Sequence, residues 1–178
     1  DGPHGDRLPT PKPAASIAEV RALAAALCCC GGVHTVQAID VRLGEEAIIA
    51  FAEVLRFSSH LSALRLNHVT SNSNAARQSM STLVDMLPNA RAPLTTLDIA
   101  HNAHLEEPSL LRLIAALKGL PRGLQGLQLD GCGLTARSAE ALGAVLSEGQ
   151  WPATLRTFTL AHNSIGREEG SVALAAAL

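Results

Sequence analysis

The stretch LQGLQLDGC at residues 124–132 recurs four more times in the chain, with its apolar residues in the same places. The other copies are VHTVQAIDV at 33–41, LSALRLNHV at 61–69, LTTLDIAHN at 94–102 and LRTFTLAHN at 155–163. Their starting positions are 28 to 33 residues apart. Self-similarity at a period of this length is the signature of a protein built from stacked copies of one supersecondary unit.

Each copy predicts a short strand that ends in a specialised turn. The central apolar residues alternate with other residues, as in a strand that buries one face. Three residues after the last apolar position the later copies carry Asn102, Cys132 and Asn163, whereas the first two carry Val41 and Val69. A side chain that can hydrogen-bond there would satisfy turn backbone groups that are otherwise buried unpaired. We interpret Asn102, Cys132 and Asn163 as structural bridges and expect more irregular turns in the first two units.

A helical pattern follows the strands. Gly44 and two glutamates lead into a helix over 47–57, Thr135 can cap the helix that follows it, and residues 166–170 lead into a helix over 172–178. Another helix, over 16–27, precedes the first strand. Strands that alternate with full helices, in units of this length, are typical of ribonuclease-inhibitor-type leucine-rich repeats. The predicted fold class is therefore α/β: a horseshoe solenoid of about five strand–helix units with a parallel sheet on its concave face.

Two segments differ in composition. Residues 1–14 contain four prolines and two glycines, which predicts a linker or an irregular N-terminal segment. Residues 15–178 form the predicted repeat domain. Because terminal repeats normally carry a polar outer face, and neither end of this domain does, we expect it to be a fragment of a longer solenoid.

Composition and charge exclude several classes of function. The net charge is -2 and the pI is about 6.4, so no nucleic-acid footprint is predicted. No apolar run is long enough for a transmembrane segment. Three of the four cysteines are consecutive, at 28–30, which makes a poor disulfide framework and indicates a cytoplasmic location. A buried or half-buried helix end is the favoured interpretation of these three cysteines, and S-palmitoylation is the alternative.

The sequence predicts neither an enzyme nor a bound cofactor. It contains no nucleophile elbow and no glycine-rich phosphate loop, and its paired glutamates each open a helix. A column of His68, His101 and His162 could in principle ligate a metal, but Gly131 interrupts it. We interpret these as solvated turn histidines and predict no metal site.

The aligned copies place small and polar side chains on the exposed face of the strands. Parallel strands lie roughly 4.8 Å apart, so these residues would form one continuous concave surface. Arg65, with Arg156 just beside the surface, is the best available anchor for a partner protein. The predicted partner-binding residues are Gln37, Arg65, Asn67, Asp98, Gln128, Asp130 and Thr159.

One run resembles a known family more closely than the general repeat pattern does. LPRGLQGLQL at 120–129, followed by LTAR at 134–137, is similar to the N-terminal repeats of the CARMIL family, large actin regulators that bind the heterodimeric capping protein. The remaining units and the spacer at 148–154 follow in matching order, so the resemblance covers about residues 16–178. It implies a non-catalytic scaffold, the repeat module of a regulator of actin capping. The family's contacts with capping protein lie outside its repeats, so the resemblance implies no binding residue here.

Two other classes share this type of repeat. The ligand-sensing repeats of NLR-type innate sensors are one, and an ATPase module upstream would favour them. RanGAP-like activators of small GTPases are the other, and their solenoid carries an acidic tail of which this sequence shows none. Likeness of fold supports each of these classes about equally.

Overall fold

The computed structural model describes residues 17–70, 74–103, 105–120, 123–148, 151–166 and 169–177. The predicted N-terminal linker, residues 1–14, lies outside the described residues. The chain alternates between helices and strands from one end of the described part to the other.

Five strands form a single, entirely parallel sheet in chain order. They are β1 (Thr35–Ile39), β2 (Ala63–Asn67), β3 (Thr96–Asp98), β4 (Gly126–Gln128) and β5 (Thr157–Thr159). Each strand lies within one of the five copies of the repeated stretch. The predicted α/β class and its five-stranded parallel sheet are therefore confirmed.

Helices connect the strands. They are α1 (Ile17–Cys29), α2 (Glu45–Phe57), α3 (Asn74–Met86), α4 (Glu107–Lys118), α5 (Ala136–Leu146), the one-turn α6 (Trp151–Thr154) and α7 (Glu169–Ala177). A 3₁₀ turn at Leu87–Asn89 follows α3 directly. The first helix continues two residues beyond the predicted 16–27, to Cys29.

The predicted cap of α5 is confirmed. Thr135 accepts a hydrogen bond from the backbone N–H of Ser138, and the Ser138 hydroxyl receives one from the backbone N–H of Thr135. This reciprocal pair satisfies two donors that the start of a helix leaves without partners. It fixes where α5 begins relative to β4.

The core lies between one face of the sheet and the helices. Leu64, Leu97 and Leu127 lie side by side in register and are fully buried. The helices add buried residues that include Leu55, Leu83, Leu113 and Leu142. Burial is weaker at the two ends: among its described side chains α1 buries only Ala24, and Val172 of α7 is 65% exposed.

In the part of the chain that the structure describes, no helix combines the length and the apolarity needed to cross a bilayer.

Candidate binding face

The face of the sheet opposite the core, which we call the open face, carries the predicted partner-binding residues. The strand register places five of them in one row, with each residue beside its equivalent on the next strand. That row is Gln37, Arg65, Asp98, Gln128 and Thr159. Asn67, at the end of β2, and Asp130, two residues beyond the row on the β4 segment, occupy a second level of the same face. The open face is therefore a continuous polar strip across all five strands.

Some residues of this strip are already bonded within the sheet. Asp130 accepts hydrogen bonds from the Thr159 hydroxyl, at 2.7 Å, and from the backbone N–H of Ala161. Asp98 Oδ1 accepts a hydrogen bond from the backbone N–H of Ala100 at 3.0 Å. These three side chains therefore help to hold the strand ends in place.

The other predicted residues carry polar groups that have no hydrogen-bond partner in the described part of the chain. Among the described residues, the side chains of Gln37, Asn67 and Gln128 make no hydrogen bond with the chain. Arg65 is half-buried, and its Nε is buried with no hydrogen-bond partner in the described part of the protein. A buried donor without a partner costs free energy. The charge of this half-buried side chain takes part in no ion pair within the described residues.

Asp98 differs from the exposed carboxylate that the strand pattern predicts. Its exposed fraction is only 4%. Arg65 and Gln128 flank it in register on the neighbouring strands, and strands roughly 4.8 Å apart let such long side chains cover a short one between them. Asp98 therefore lies in the row but offers little surface to a partner.

Beyond the strands, the same position in each unit has a left-handed backbone. Asp40, His68, His101, Gly131 and His162 have φ between 52° and 59°. Glycine adopts this region without strain, and Asp and His are enriched there among other residues. The column of histidines thus has a backbone explanation: its members are residue types that tolerate this turn.

The side chains of that column fall into two pairs. His68 Nδ1 lies 2.9 Å from Asp40 Oδ1. His101 and His162 face each other across Gly131, with ring centroids 6.4 Å apart. No group of three or more His, Cys, Asp or Glu side chains within the described residues is arranged to hold a metal ion.

The three predicted bridges form an equivalent set of contacts. Asn102 Nδ2 donates to the carbonyl of Leu66, at 2.7 Å, and Asn163 Nδ2 donates to the carbonyl of Leu129, at 2.7 Å. The Cys132 thiol lies in the same position, with Sγ 3.2 Å from the Ile99 carbonyl oxygen. Each side chain therefore reaches back to the carbonyl of the last apolar residue of the repeated stretch in the unit before it.

The asparagine bridges also accept hydrogen bonds, which a thiol does poorly. Asn102 Oδ1 accepts hydrogen bonds from the backbone N–H groups of Val69 and Thr70. Asn163 Oδ1 accepts hydrogen bonds from those of Cys132 and Leu134. The second unit, which lacks a polar residue at its own bridge position, is thus bridged by Asn102 of the third. No sequence signal within the second unit could have shown this.

The cysteines have very different surroundings. Cys132 is fully buried, and this burial raises the pKa of its thiol from the ordinary 9.0 to about 12. The pKa of Cys28, which is half-buried, is also raised, by burial first and then by Cys29 and Glu53. Cys29 and Cys30 are exposed, so the expectation of a buried or half-buried helix end holds for Cys28 and is wrong for the other two.

No protein-family model matches this chain, and no curated protein sequence matches it.

Its function is therefore inferred from geometry. The open face offers amides, a guanidinium with a spare buried donor and small hydroxyl side chains. Such groups recognise other polar surfaces through hydrogen bonds and ion pairs.

Proposed function

We propose that this protein is a non-catalytic protein-binding module whose open face receives the partner. The observation that carries the proposal is the single row of Gln37, Arg65, Asp98, Gln128 and Thr159 across five parallel strands. A row of this kind gives one rigid, extended surface, which is how proteins made of stacked repeats bind their partners.

Leucine-rich repeats stacked as a solenoid are part of the same proposal. It is supported by the equivalent bonds of Asn102, Cys132 and Asn163, each to the unit before it. It is also supported by the left-handed residue that recurs after every strand. A set of contacts that repeats from unit to unit is what stacked copies of one supersecondary unit require.

Arg65 is the proposed anchor of the interface. Arginine is enriched among the residues that contribute most to binding, and a carboxylate can pair with its guanidinium in a two-pronged geometry. Within the described residues Arg65 takes part in no ion pair, so its charge is available to such a partner. We expect the partner to present an acidic side chain to the middle of the open face.

Affinity capture tests the proposed face. The immobilised protein is incubated with cell extract, and the bound proteins are identified by quantitative mass spectrometry. Arg65→Glu and Gln128→Ala should each deplete the specific partner, by about tenfold for Arg65→Glu. The matched control is Arg137→Glu, a charge reversal at an exposed residue of α5, away from the open face. Equal loss with the control, or retention with both open-face variants, would show that the partner binds elsewhere.

A CARMIL-like role in the cytoplasm is the more specific form of the proposal. It is supported by the order of the repeats and, for location, by four free cysteines. The full-length gene tests it. A pleckstrin-homology domain upstream and a basic, proline-rich capping-protein motif downstream are expected, and the absence of both contradicts the CARMIL assignment without affecting the open face.

A further inference from the structure

The connection between α3 and β3 forms a groove at the edge of the sheet where the strands begin. It contains the 3₁₀ turn at Leu87–Asn89 and the loop over 90–95. Two adjoining cavities, of about 500 Å³ and about 630 Å³, border this connection and share Arg91 in their walls. We call the two together the Arg91 groove.

The two halves of the groove differ in character. The first half has slightly more apolar than polar surface, and its walls include Pro88, Pro93 and Leu120. The second half is bordered by residues from α2, α3 and the 3₁₀ turn: Arg56, Phe57, Asp85, Met86 and Asn89. A cavity with apolar walls on one side that adjoins a more polar one can take two neighbouring side chains of different kinds.

Phe57 is the most unusual residue of the groove. The residue is 53% exposed. Aromatic residues make up only 2% of the sequence, so an exposed one is notable. The guanidinium carbon of Arg56 lies 5.2 Å from the centroid of its ring. A cation over an aromatic face that is open to solvent resembles the aromatic and arginine anchors of protein interfaces.

The charges of the groove are unbalanced. In the described part of the chain, neither Arg56 nor Arg91 takes part in an ion pair. The carboxylate of Asp85 is paired with Arg112, at 3.4 Å. Arg56 lies in the last turn of α2, where a cation complements the helix dipole, but that role accounts neither for Arg91 nor for the exposed ring of Phe57. The groove therefore presents positive charge beside apolar surface.

The groove is held in shape by backbone bonds. The N–H of Ala92 donates to the carbonyl of Leu55, at 3.2 Å, and the N–H of Ala90 donates to that of Leu87, at 3.1 Å. Pro88 and Pro93 restrict the backbone on either side. A preformed groove loses less conformational entropy when a ligand binds.

We propose that the Arg91 groove binds a segment of a partner protein in which an acidic side chain adjoins an apolar one. The carboxylate pairs with Arg91, and the apolar side chain enters the cavity beside Pro88 and Leu120. This surface is distinct from the open face, so the module contacts its partners at two places.

Fluorescence anisotropy with short labelled peptides tests this proposal. The probe is a fluorescein-labelled peptide that alternates glutamate and leucine, and its counterpart replaces every glutamate with lysine. Saturable binding of the acidic probe is expected, with a Kd raised at least about tenfold by Arg91→Glu and raised also by Phe57→Ala. The lysine peptide should bind at least about tenfold more weakly than the acidic one.

Two control variants separate the possible outcomes. Arg137→Glu changes the same charge outside the groove and should leave the affinity unchanged, whereas Arg65→Glu reports whether the probe occupies the open face instead. Circular dichroism confirms that each variant is folded. The proposal is overturned if the acidic probe shows no saturable binding, if Arg91→Glu and Arg137→Glu act equally, or if both peptides bind alike. Loss with Arg65→Glu alone would also overturn it, since the probe would then occupy the open face.

Discussion

A few side chains link each unit of the protein to the one before it. Asn102 is fully buried and makes hydrogen bonds to the backbone of both its own unit and the preceding one. Each bond satisfies a group that folding removes from water. These residues therefore contribute to stability through the polar groups that they pair, beyond the apolar surface that they bury.

Replacing Asn102 with alanine should destabilise the protein by roughly 3 kcal/mol, because it leaves buried groups of the second and third units unpaired. Urea unfolding followed by circular dichroism measures the change. Asn67→Ala is the matched control: this side chain lies on the open face and should change stability by less than about 0.5 kcal/mol. Equal effects of the two substitutions would contradict the bridging role. Asn163→Ala, at a half-buried bridge, keeps the comparison possible if Asn102→Ala does not fold.

The buried thiol of Cys132 should make stability depend on pH in the alkaline range. Its pKa is raised in the folded protein, so the folded state favours the neutral thiol. The stabilisation is fully present below the unfolded pKa of about 9 and is lost as the pH rises from there towards about 12. The loss approaches about 1.4 kcal/mol for each pH unit above 9.

The Cys132→Ser variant isolates this contribution, because serine does not titrate in that range. The difference in unfolding free energy between the wild type and the variant should be constant from pH 7 to 8.5 and should shift against the wild type from about pH 9 upwards. A difference that stays constant up to pH 10.5 would contradict the assignment.

At the scale of elements, close approach between helices decides where glycine is needed. A Cβ atom at Gly143 of α5 would lie 2.8 Å from the carbonyl oxygen of Ala173 in α7. Gly170, at the start of α7, is similarly close to the carbonyl oxygen of Ile165. Gly143 therefore lets α5 and α7 pack directly on each other, and Gly170 lets the start of α7 pack on the turn that contains Ile165.

Gly143→Ala therefore tests two opposed effects. Alanine favours the helix by about 1 kcal/mol, whereas the contact with Ala173 costs about 1–3 kcal/mol. We expect a net destabilisation of roughly 1 kcal/mol in chemical denaturation. Gly32→Ala, where no atom lies within 4 Å of the new Cβ, should be nearly neutral. A Gly143→Ala variant that is more stable than the wild type would show that α7 moves away at little cost.

At the scale of the whole molecule, burial is greatest in the central units. Leu97 and Leu127 are fully buried, whereas Leu23 of α1 and Val172 of α7 are more than half exposed. Within the described residues, β1 and β5 each pair with one neighbouring strand, whereas β2, β3 and β4 each pair with two. The ends should therefore open more often than the centre.

Hydrogen exchange followed by mass spectrometry measures this gradient. Amide protection should be highest in β3 and β4 and lower in α1, β1 and α7. Peptides from β2 provide an internal reference, since this strand also has a neighbour on each side. Equal protection along the whole chain would show that the described units unfold as one block.

Much of the architecture could be predicted because it depends on local periodicity. The alternation within each copy located all five strands, and the spacing of the copies aligned them in the register that the structure shows. Thr135 was recognisable as a cap because capping depends on residues a few positions apart. The partner-binding role of the aligned residues stays a prediction.

The sequence by itself determined the α/β class, the parallel sheet, the polar row on one face and the residues that turn the chain after each strand. Only the tertiary structure decided which of those side chains are free to bind. Asp98 is buried although it lies in the polar row, Asn102 bonds to the unit before its own, and Arg91 and Phe57 border one groove although they are far apart in the chain. The physical reason is the distance along the chain over which each feature is decided. Periodicity reflects how a single segment folds, whereas burial and hydrogen bonding depend on contacts between segments about one repeat apart.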